Sequence, residues 1–330
     1  MSSKIASPQL PQRAAWLDIS RVLAMFGVIA IHMGGSYFTV QARPECVPAI
    51  RAYFCVAEGM LAFFFLVSGY FCKPDMPAKK WGRRILMLLV GFVAWNLLYT
   101  PGLNDEVTFG RIFGVGSADA LCADYPLWYL RAIIMMMLFL FIFRRCVWLC
   151  ALLAFAFTLW GNSWHCSLLE NIPTPAPFYV LMFVLGSMFS FVPLPQLRRF
   201  FFYTTPVWAL GCAVFHFGVV EMLPLMHRVA SAFLLASLGT LLALLPKVGG
   251  YLAKWADATY LCYAVHAGAL LAITMALHKF VPEACSSKWV YSLLPIGIYA
   301  ACVMAMRLMR AYTPWLLPWL AHEGKLPFLK

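Results

Sequence analysis

Residues 16–35 read WLDISRVLAMFGVIAIHMGG, an apolar stretch with an arginine and a histidine well inside it. A transmembrane α-helix needs about 20 predominantly apolar residues, so this stretch predicts a span over 15–37. Arg21 and His32 are eleven residues apart, which places them on one helix face, about 16 Å apart along the axis. Asp18, one turn before Arg21, is expected to pair with it. One face of this helix therefore carries a fixed cation and a titratable imidazole.

The composition of the whole chain predicts a membrane protein. The 330 residues are 63% hydrophobic and 12% charged, whereas soluble globular chains carry about 25% charged residues. A water-soluble fold would have too few polar groups to cover its surface. The net charge of +12 does not indicate nucleic-acid binding, because the basic residues lie in short gaps between apolar runs. Membrane lipids, and no nucleic acid, are the expected surroundings.

The apolar runs predict an all-α integral membrane protein with about ten transmembrane helices. Helices are required because backbone exposed to lipid must satisfy its own hydrogen bonds. The alternating pattern of a membrane β-barrel is absent. The predicted spans are 15–37, 52–72, 83–100, 127–143, 146–162, 177–193, 204–221, 228–246, 259–279 and 289–311.

The positions of the Lys and Arg residues predict the orientation of these spans. With the N-terminus in the cytoplasm, 17 of them lie in inner segments and six in outer segments. Cytoplasmic loops of membrane proteins carry this excess of positive charge, so both termini are predicted to be cytoplasmic. The resulting organisation is a cytoplasmic segment over 1–14, a transmembrane domain over 15–311 and a cytoplasmic tail over 312–330.

Ionisable residues inside the spans are candidates for function, because each costs several kcal/mol unless it has a partner or water. Besides Arg21 and His32, the candidates include Glu58, Arg131 and His266. Glu58 could orient an imidazole or pair with Arg131. The alternative for these residues is structural, with each buried group satisfied by a neighbouring helix. No group of His and Cys has metal-site spacing, so no metal is expected.

Five motifs in chain order resemble acyltransferase family 3. The stretch 16–32 contains the family's Asp-x-x-Arg start and an Arg-x10-His pair. FFFLVSGYF at 63–71 resembles its Phe-Phe-x-x-Ser-Gly-Tyr signature, and the run at 79–84 is basic as in the family. PLWYL at 126–130 and TYLCYAVH at 259–266 are similar to its Leu-Trp-Phe-Leu and Ser-Tyr-x-x-Tyr-x-x-His segments.

The resemblance implies a membrane O-acyltransferase of the stand-alone type, without an SGNH hydrolase-like domain, in a bacterial inner membrane. Such proteins move an acyl group, usually acetyl, from cytoplasmic acyl-CoA to a hydroxyl of a cell-envelope glycan or lipid-linked sugar. Acetyl-CoA is then a donor substrate, and no permanently bound cofactor is expected. His32 is the expected general base, although a transient acyl-histidine stays open. Arg21, aimed by Asp18, is expected at the donor site.

Further residues are expected to bind substrate. Arg83 and Arg84 suit the anionic head of coenzyme A, although topology alone also explains them. Ser68 and Trp128 are candidate contacts, but small residues also serve helix packing and aromatic residues also form interfacial belts. The segment 259–266, which matches its family motif less closely, adds His266 to these candidates. The alternative function is a transporter or flippase of an envelope glycan precursor, for which the inverted repeats common in carriers are not visible.

Overall fold

The computed structural model describes residues 14–35, 57, 59–99, 127–160, 177–216 and 224–321. All regular secondary structure within these ranges is helical, with short 3-10 turns between some of the α-helices. The α-helices are α1 (Ala15–Gly35), α2 (Met60–Phe71), α3 (Ala78–Tyr99), α4 (Trp128–Ile142), α5 (Val147–Trp160), α6 (Pro177–Phe189), α7 (Leu194–His216), α8 (Pro224–Leu242), α9 (Pro246–Trp255), α10 (Thr259–Phe280), α11 (Lys288–Tyr312) and α12 (Leu317–Leu320).

Helix α1 is the central helix of the described bundle. It packs against α2, α8, α9, α10 and α11. Of its most apolar window, 67% is buried, compared with 28–39% for the other long apolar helices. Val22, Met25 and Ile29, spaced three and four residues apart, are all buried, as expected for a helix face in a core. This position brings the ionisable side chains of α1 into the protein interior rather than the lipid.

Helices α2 and α6 cross in close backbone contact. A Cβ atom added at Gly69 would overlap the carbonyl oxygen of Phe183, and one added at Gly186 would overlap the carbonyl oxygen of Leu66. Small residues allow this approach in membrane proteins, where dispersion contacts replace the hydrophobic effect between helices. The buried Ser187 donates a hydrogen bond of 2.8 Å to the carbonyl of Cys72, just after α2. The Ser68–Gly69 motif therefore has a packing role at its glycine.

The outer surface of the bundle carries large apolar side chains. Ile142, Trp148, Tyr203 and Phe280 each have a relative exposure above 70%. Apolar surface of this extent is unusual on a soluble monomer. It fits a protein whose solvent on these faces is the hydrocarbon of a bilayer.

By length and apolarity, four helical segments in the described ranges could cross a membrane, or five if one bent pair forms a single span. The membrane class and the all-helical fold are therefore supported, whereas the count of ten spans and the orientation of the termini stay predictions. The four segments are Ala15–Met33, Ala78–Tyr99, Pro246–Phe280 and Ser292–Tyr312, and the shorter apolar helices are Met60–Phe71, Phe178–Phe189 and Met226–Leu242.

The bent pair joins two segments that the sequence predicts as separate spans. Trp128–Ile142 and Arg144–Ala156 meet at an angle of 79°, around a 3-10 turn at Arg144–Cys146. Two adjacent arginines favour an interface over the hydrocarbon interior, which explains why the helix direction changes there.

Helix α9 was not predicted, since its residues fall between the predicted spans 228–246 and 259–279. Pro246 opens it at the first helical positions, where a missing backbone N–H is tolerated. Its Gly249 is buried, and the helix packs on α1. The sequence signal for α9 is therefore the proline together with small residues on one side of a short helix.

Candidate active site

A cavity of about 270 Å³ lies beside α1 and is walled by α2, α3, α4 and α10. Its size is just below the ~300–1,000 Å³ of typical small-molecule pockets. Most of its wall is apolar, as in ligand sites where a few polar groups fix orientation. The polar side chains on it are Arg21, Ser68, Tyr129, Thr259, Tyr260 and Tyr263.

Arg21 is the cation at this cavity, and Asp18 holds it in place. The Arg21 Nη1 to Asp18 Oδ1 distance is 3.4 Å, within one turn of α1. The aspartate side chain is 13% exposed and the arginine side chain 33%, so the carboxylate is the more buried partner. The pairing predicted for Asp18 is observed. It leaves part of the guanidinium available towards the cavity.

Ser68 and Tyr129 form a hydroxyl pair on the cavity wall. Their oxygens lie 3.1 Å apart, and either could donate. Tyr129 is buried against Phe65, with ring centroids 4.6 Å apart, and against Tyr263 of α10 at 5.4 Å. The packed rings restrict the direction in which the two hydroxyls can point. The predicted site residue Ser68 is therefore in the cavity, with a partner that the sequence analysis did not select.

His32 lies further along α1 and contacts the second predicted histidine, His266 of α10. The two imidazole ring centroids are 5.0 Å apart and the rings are tilted by 53°. His266 is fully buried, and its Nδ1 lies 2.6 Å from the carbonyl oxygen of Tyr263. The described cavity wall includes Tyr263 but neither histidine. The histidine pair thus lies next to the end of the cavity.

Helices α1 and α10 run in the same direction through the site. Arg21 and Thr259, near the start of each helix, both border the cavity. His32 and His266, further along, contact each other. At 1.5 Å rise per residue, the end of the cavity at Arg21 and Thr259 lies about 10–16 Å along the helix axes from the histidine pair.

The entrance to α10 is held by buried hydroxyl groups. The Thr259 Oγ1 lies 2.7 Å from the Tyr299 hydroxyl, which also donates to the Trp255 carbonyl at 3.2 Å. Tyr299 stacks on Trp255 with an interplanar angle of 15°. These contacts connect α9, α10 and α11, so they position the side of the cavity that Thr259 lines.

The two arginines of the basic run differ in their surroundings. Arg83 is exposed, whereas Arg84 is partly buried and its Nη1 donates to the carbonyl of Phe71, a cavity residue. The basic run therefore adjoins the same end of the cavity as Arg21. Arg84 closes the end of α2 by satisfying a terminal carbonyl.

Two other predicted site residues, Trp128 and Arg131, are not part of the described cavity wall. Trp128 packs between Phe65 and Tyr179, at ring-centroid distances of 6.1 and 5.9 Å. Arg131 is partly buried in α4 and has an interaction partner. Glu58 lies outside the described residues, so its predicted pairing with Arg131 stays a prediction.

A comparison with protein families covers all the helices that form this site. The family model Acyl_transf_3, described as an acyltransferase domain, matches residues 14–316. The chain belongs to acyltransferase family 3. The resemblance seen in five motifs is thereby confirmed, and the protein is a membrane acyltransferase. No curated protein and no solved structure matches the chain.

Within this acyltransferase, the described residues contain no group of three or more His, Cys, Asp or Glu side chains that could hold a metal ion. The ionisable and hydroxyl groups of the site come instead from four helices. Tyr129, Thr259, Tyr260 and Tyr263 were present in the quoted motifs but were not selected as site residues. The sequence signal for these residues was that hydroxyl-bearing side chains are concentrated in the two motifs at 126–130 and 259–266. The fold brings both motifs to one cavity.

Proposed function

We propose that this acyltransferase moves an acetyl group from cytoplasmic acetyl-CoA to a hydroxyl of a cell-envelope glycan or lipid-linked sugar in a bacterial inner membrane. The observation that carries the proposal is the layout of α1. Arg21 borders a mostly apolar cavity at one depth, and His32 lies in an imidazole pair further along the same helix. In this proposal Arg21 binds the donor and His32 acts as base on the acceptor, at two depths of one helix.

The donor is proposed to enter from the side of Arg21. Coenzyme A carries phosphate groups, which arginine binds through charge-assisted hydrogen bonds. The exposed Lys79, Lys80 and Arg83 supply further cations where the run meets the cavity through Arg84 and Phe71. The apolar wall beyond Arg21 suits the uncharged pantetheine arm, which would carry the thioester towards His32.

The acyl transfer itself follows from the groups at the far end. His32 accepts the proton of the acceptor hydroxyl as its oxygen attacks the thioester carbon. The carbonyl oxygen gains the negative charge, which hydrogen-bond donors beside the thioester stabilise. Collapse expels the coenzyme A thiolate, which takes the proton from the His32 imidazolium. An ester and free coenzyme A result.

The orientation with both termini in the cytoplasm is part of the proposal. It is supported by the basic run and Arg21, which adjoin the same end of the cavity, and by the parallel course of α1 and α10, the first and ninth predicted spans. We expect green fluorescent protein fused after Lys330 to fluoresce, and alkaline phosphatase at the same position to be inactive. Active phosphatase there would reverse the orientation.

The test of the function is transfer of label. Purified protein in lipid vesicles, supplied with acetyl-CoA labelled in its acetyl group and an envelope glycan extract, should release coenzyme A and give glycan with alkali-labile label. The same glycan supplied without protein is the background control. A protein that moves unmodified lipid-linked sugar across the vesicle membrane, with no label transferred, would be the transporter or flippase instead.

Replacement of Arg21 by lysine is expected to raise the KM for acetyl-CoA by about tenfold, with a smaller effect on kcat. Lysine keeps the charge but lacks the planar guanidinium, which binds phosphate through two hydrogen bonds. A tenfold change in KM corresponds to about 1.4 kcal/mol. Initial rates at varied donor concentration measure it. Arg145→Lys is the matched control, because Arg145 is exposed at the bend after α4. An unchanged KM would remove Arg21 from the donor site.

A further inference from the structure

His266 makes one hydrogen bond that determines its protonation. Its Nδ1 lies 2.6 Å from the carbonyl oxygen of Tyr263, one turn earlier in α10. A backbone carbonyl only accepts hydrogen bonds, so Nδ1 must carry the hydrogen. The ring is fully buried, and no ion pair of the described residues includes it, so an imidazolium would be costly in such surroundings. His266 is therefore the neutral tautomer with hydrogen on Nδ1 and a lone pair on Nε2.

The Nε2 atom of His266 is buried and has no hydrogen-bond partner among the described residues. A buried acceptor left unsatisfied costs about 1–3 kcal/mol, and native proteins keep few of them. The nearest imidazole is that of His32, with ring centroids 5.0 Å apart. This separation is that of a hydrogen-bonded imidazole pair once the two nitrogens face each other.

We propose that His266 is a positioning residue for His32, through an N–H···N hydrogen bond from the His32 ring to His266 Nε2 in the reacting state. Donation to Nε2 places the hydrogen of neutral His32 on the nitrogen that faces His266. The other nitrogen of His32 then has the lone pair that accepts the proton of the acceptor hydroxyl. The same bond stabilises the imidazolium that forms.

This inference rests on the proposed function, because it assigns His266 a task in the chemistry of His32. The contacts that hold His266 in place do not depend on the proposed function. The Tyr263 carbonyl fixes His266, and Tyr263 also lines the cavity and packs on Tyr129. The orientation of the base is thus connected to the wall that holds the hydroxyl pair. The arrangement parallels the role of a buried partner that holds a catalytic histidine in one tautomer.

Two substitutions of His266 separate positioning from packing. Asparagine places an amide N–H near the position of Nδ1, so it can keep the bond to Tyr263 but lacks an acceptor at Nε2. Glutamine reaches the position of Nε2 with an amide oxygen. We expect His266→Asn to lower kcat by about 30-fold with the KM for acetyl-CoA within about twofold, which is part of the ~10²–10⁴-fold effect of a general base. We expect His266→Gln to recover most of that loss.

The matched control is His278→Asn, the same chemical change three turns further along α10, outside the cavity and the imidazole pair. Its kcat should stay at the wild-type value. The positioning role is excluded if His266→Asn keeps full kcat. It is also excluded if both His266 variants lose kcat equally and lose thermal stability together, because a packing role alone gives that result.

A measurement without turnover tests the pair itself. The chain contains seven histidines, whose ring nitrogens can be labelled with ¹⁵N and assigned by single substitutions. We expect the His266 signals of the neutral Nδ1–H tautomer, and a shift of the His32 signals in His266→Asn that is smaller in His266→Gln. Unmoved His32 signals would overturn the inference. Failure of acyl transfer with these shifts present would instead overturn the proposed function.

Discussion

The His32→Ala variant is expected to lower kcat for acetyl transfer by at least about 100-fold, the lower limit for removing a general base. A sugar hydroxyl is a poor nucleophile until its proton is taken, and imidazole has an ordinary pKa near 6.5, suited to that task. The KM for acetyl-CoA should change little, because Arg21 and the cavity wall remain. Initial rates with labelled acetyl-CoA and glycan acceptor, at matched amounts of folded protein, measure both constants.

His278→Ala is the control for loss of a histidine from the same bundle, and its transfer rate should match the wild type. Thermal stability of both variants separates loss of chemistry from loss of fold. Transfer at the wild-type rate by folded His32→Ala would refute the role of His32 as base.

The covalent route by an acyl-histidine predicts a different signal from the same protein. With labelled acetyl-CoA and no acceptor, such a route leaves label on His32 and releases coenzyme A in a burst equal to the amount of enzyme. Direct attack by the acceptor hydroxyl leaves the protein unlabelled. Rapid acid quench followed by peptide mass analysis distinguishes the two, with His32→Ala as the background.

Substitution of Gly69 or Gly186 by alanine is the second large effect expected. Each new methyl group would overlap a backbone carbonyl oxygen of the partner helix, and a backbone cannot move aside as a flexible side chain can. Overpacking costs about 1–3 kcal/mol and sometimes more. We expect a clear fall in apparent Tm and in detergent-extracted folded protein for either variant. The two changes should be less than additive, because both separate the same helix pair.

Gly82→Ala and Gly297→Ala are matched controls for these variants. Both glycines are in helices, α3 and α11, and an added Cβ would meet nothing within 4 Å. Alanine is the better helix former by up to about 1 kcal/mol, so these variants should be as stable as wild type or slightly more stable. Equal stability of Gly69→Ala and Gly297→Ala would contradict the close crossing of α2 and α6.

Local features of the site could be predicted from the sequence. The spacing of Asp18 and Arg21 is that of neighbours on one helix face, and the structure shows them paired. The all-helical membrane fold followed from composition and the length of apolar runs. The family followed from motifs that each fall within one helix, and the matched range of 14–316 confirmed it.

Contacts between distant segments could not be predicted in this way. His32 and His266 belong to the first and ninth predicted spans, and nothing in either span indicates that α1 and α10 pack together. The partner of Ser68 is Tyr129, in a motif noted for its neighbour Trp128. Hydropathy also treated Arg144 as a loop residue and gave no angle for the bend of 79°, because an apolar run carries no information on helix direction.

The burial of His266 also concerns how the protein limits proton leakage across the membrane. The cavity wall on α10 includes Tyr263, and one turn further His266 is 0% exposed to solvent. A continuous column of water through a membrane protein would let protons leak across the bilayer. The ring of His266 is not in contact with solvent in this conformation. Burial of this ring therefore withholds one polar side chain of α10 from any such column.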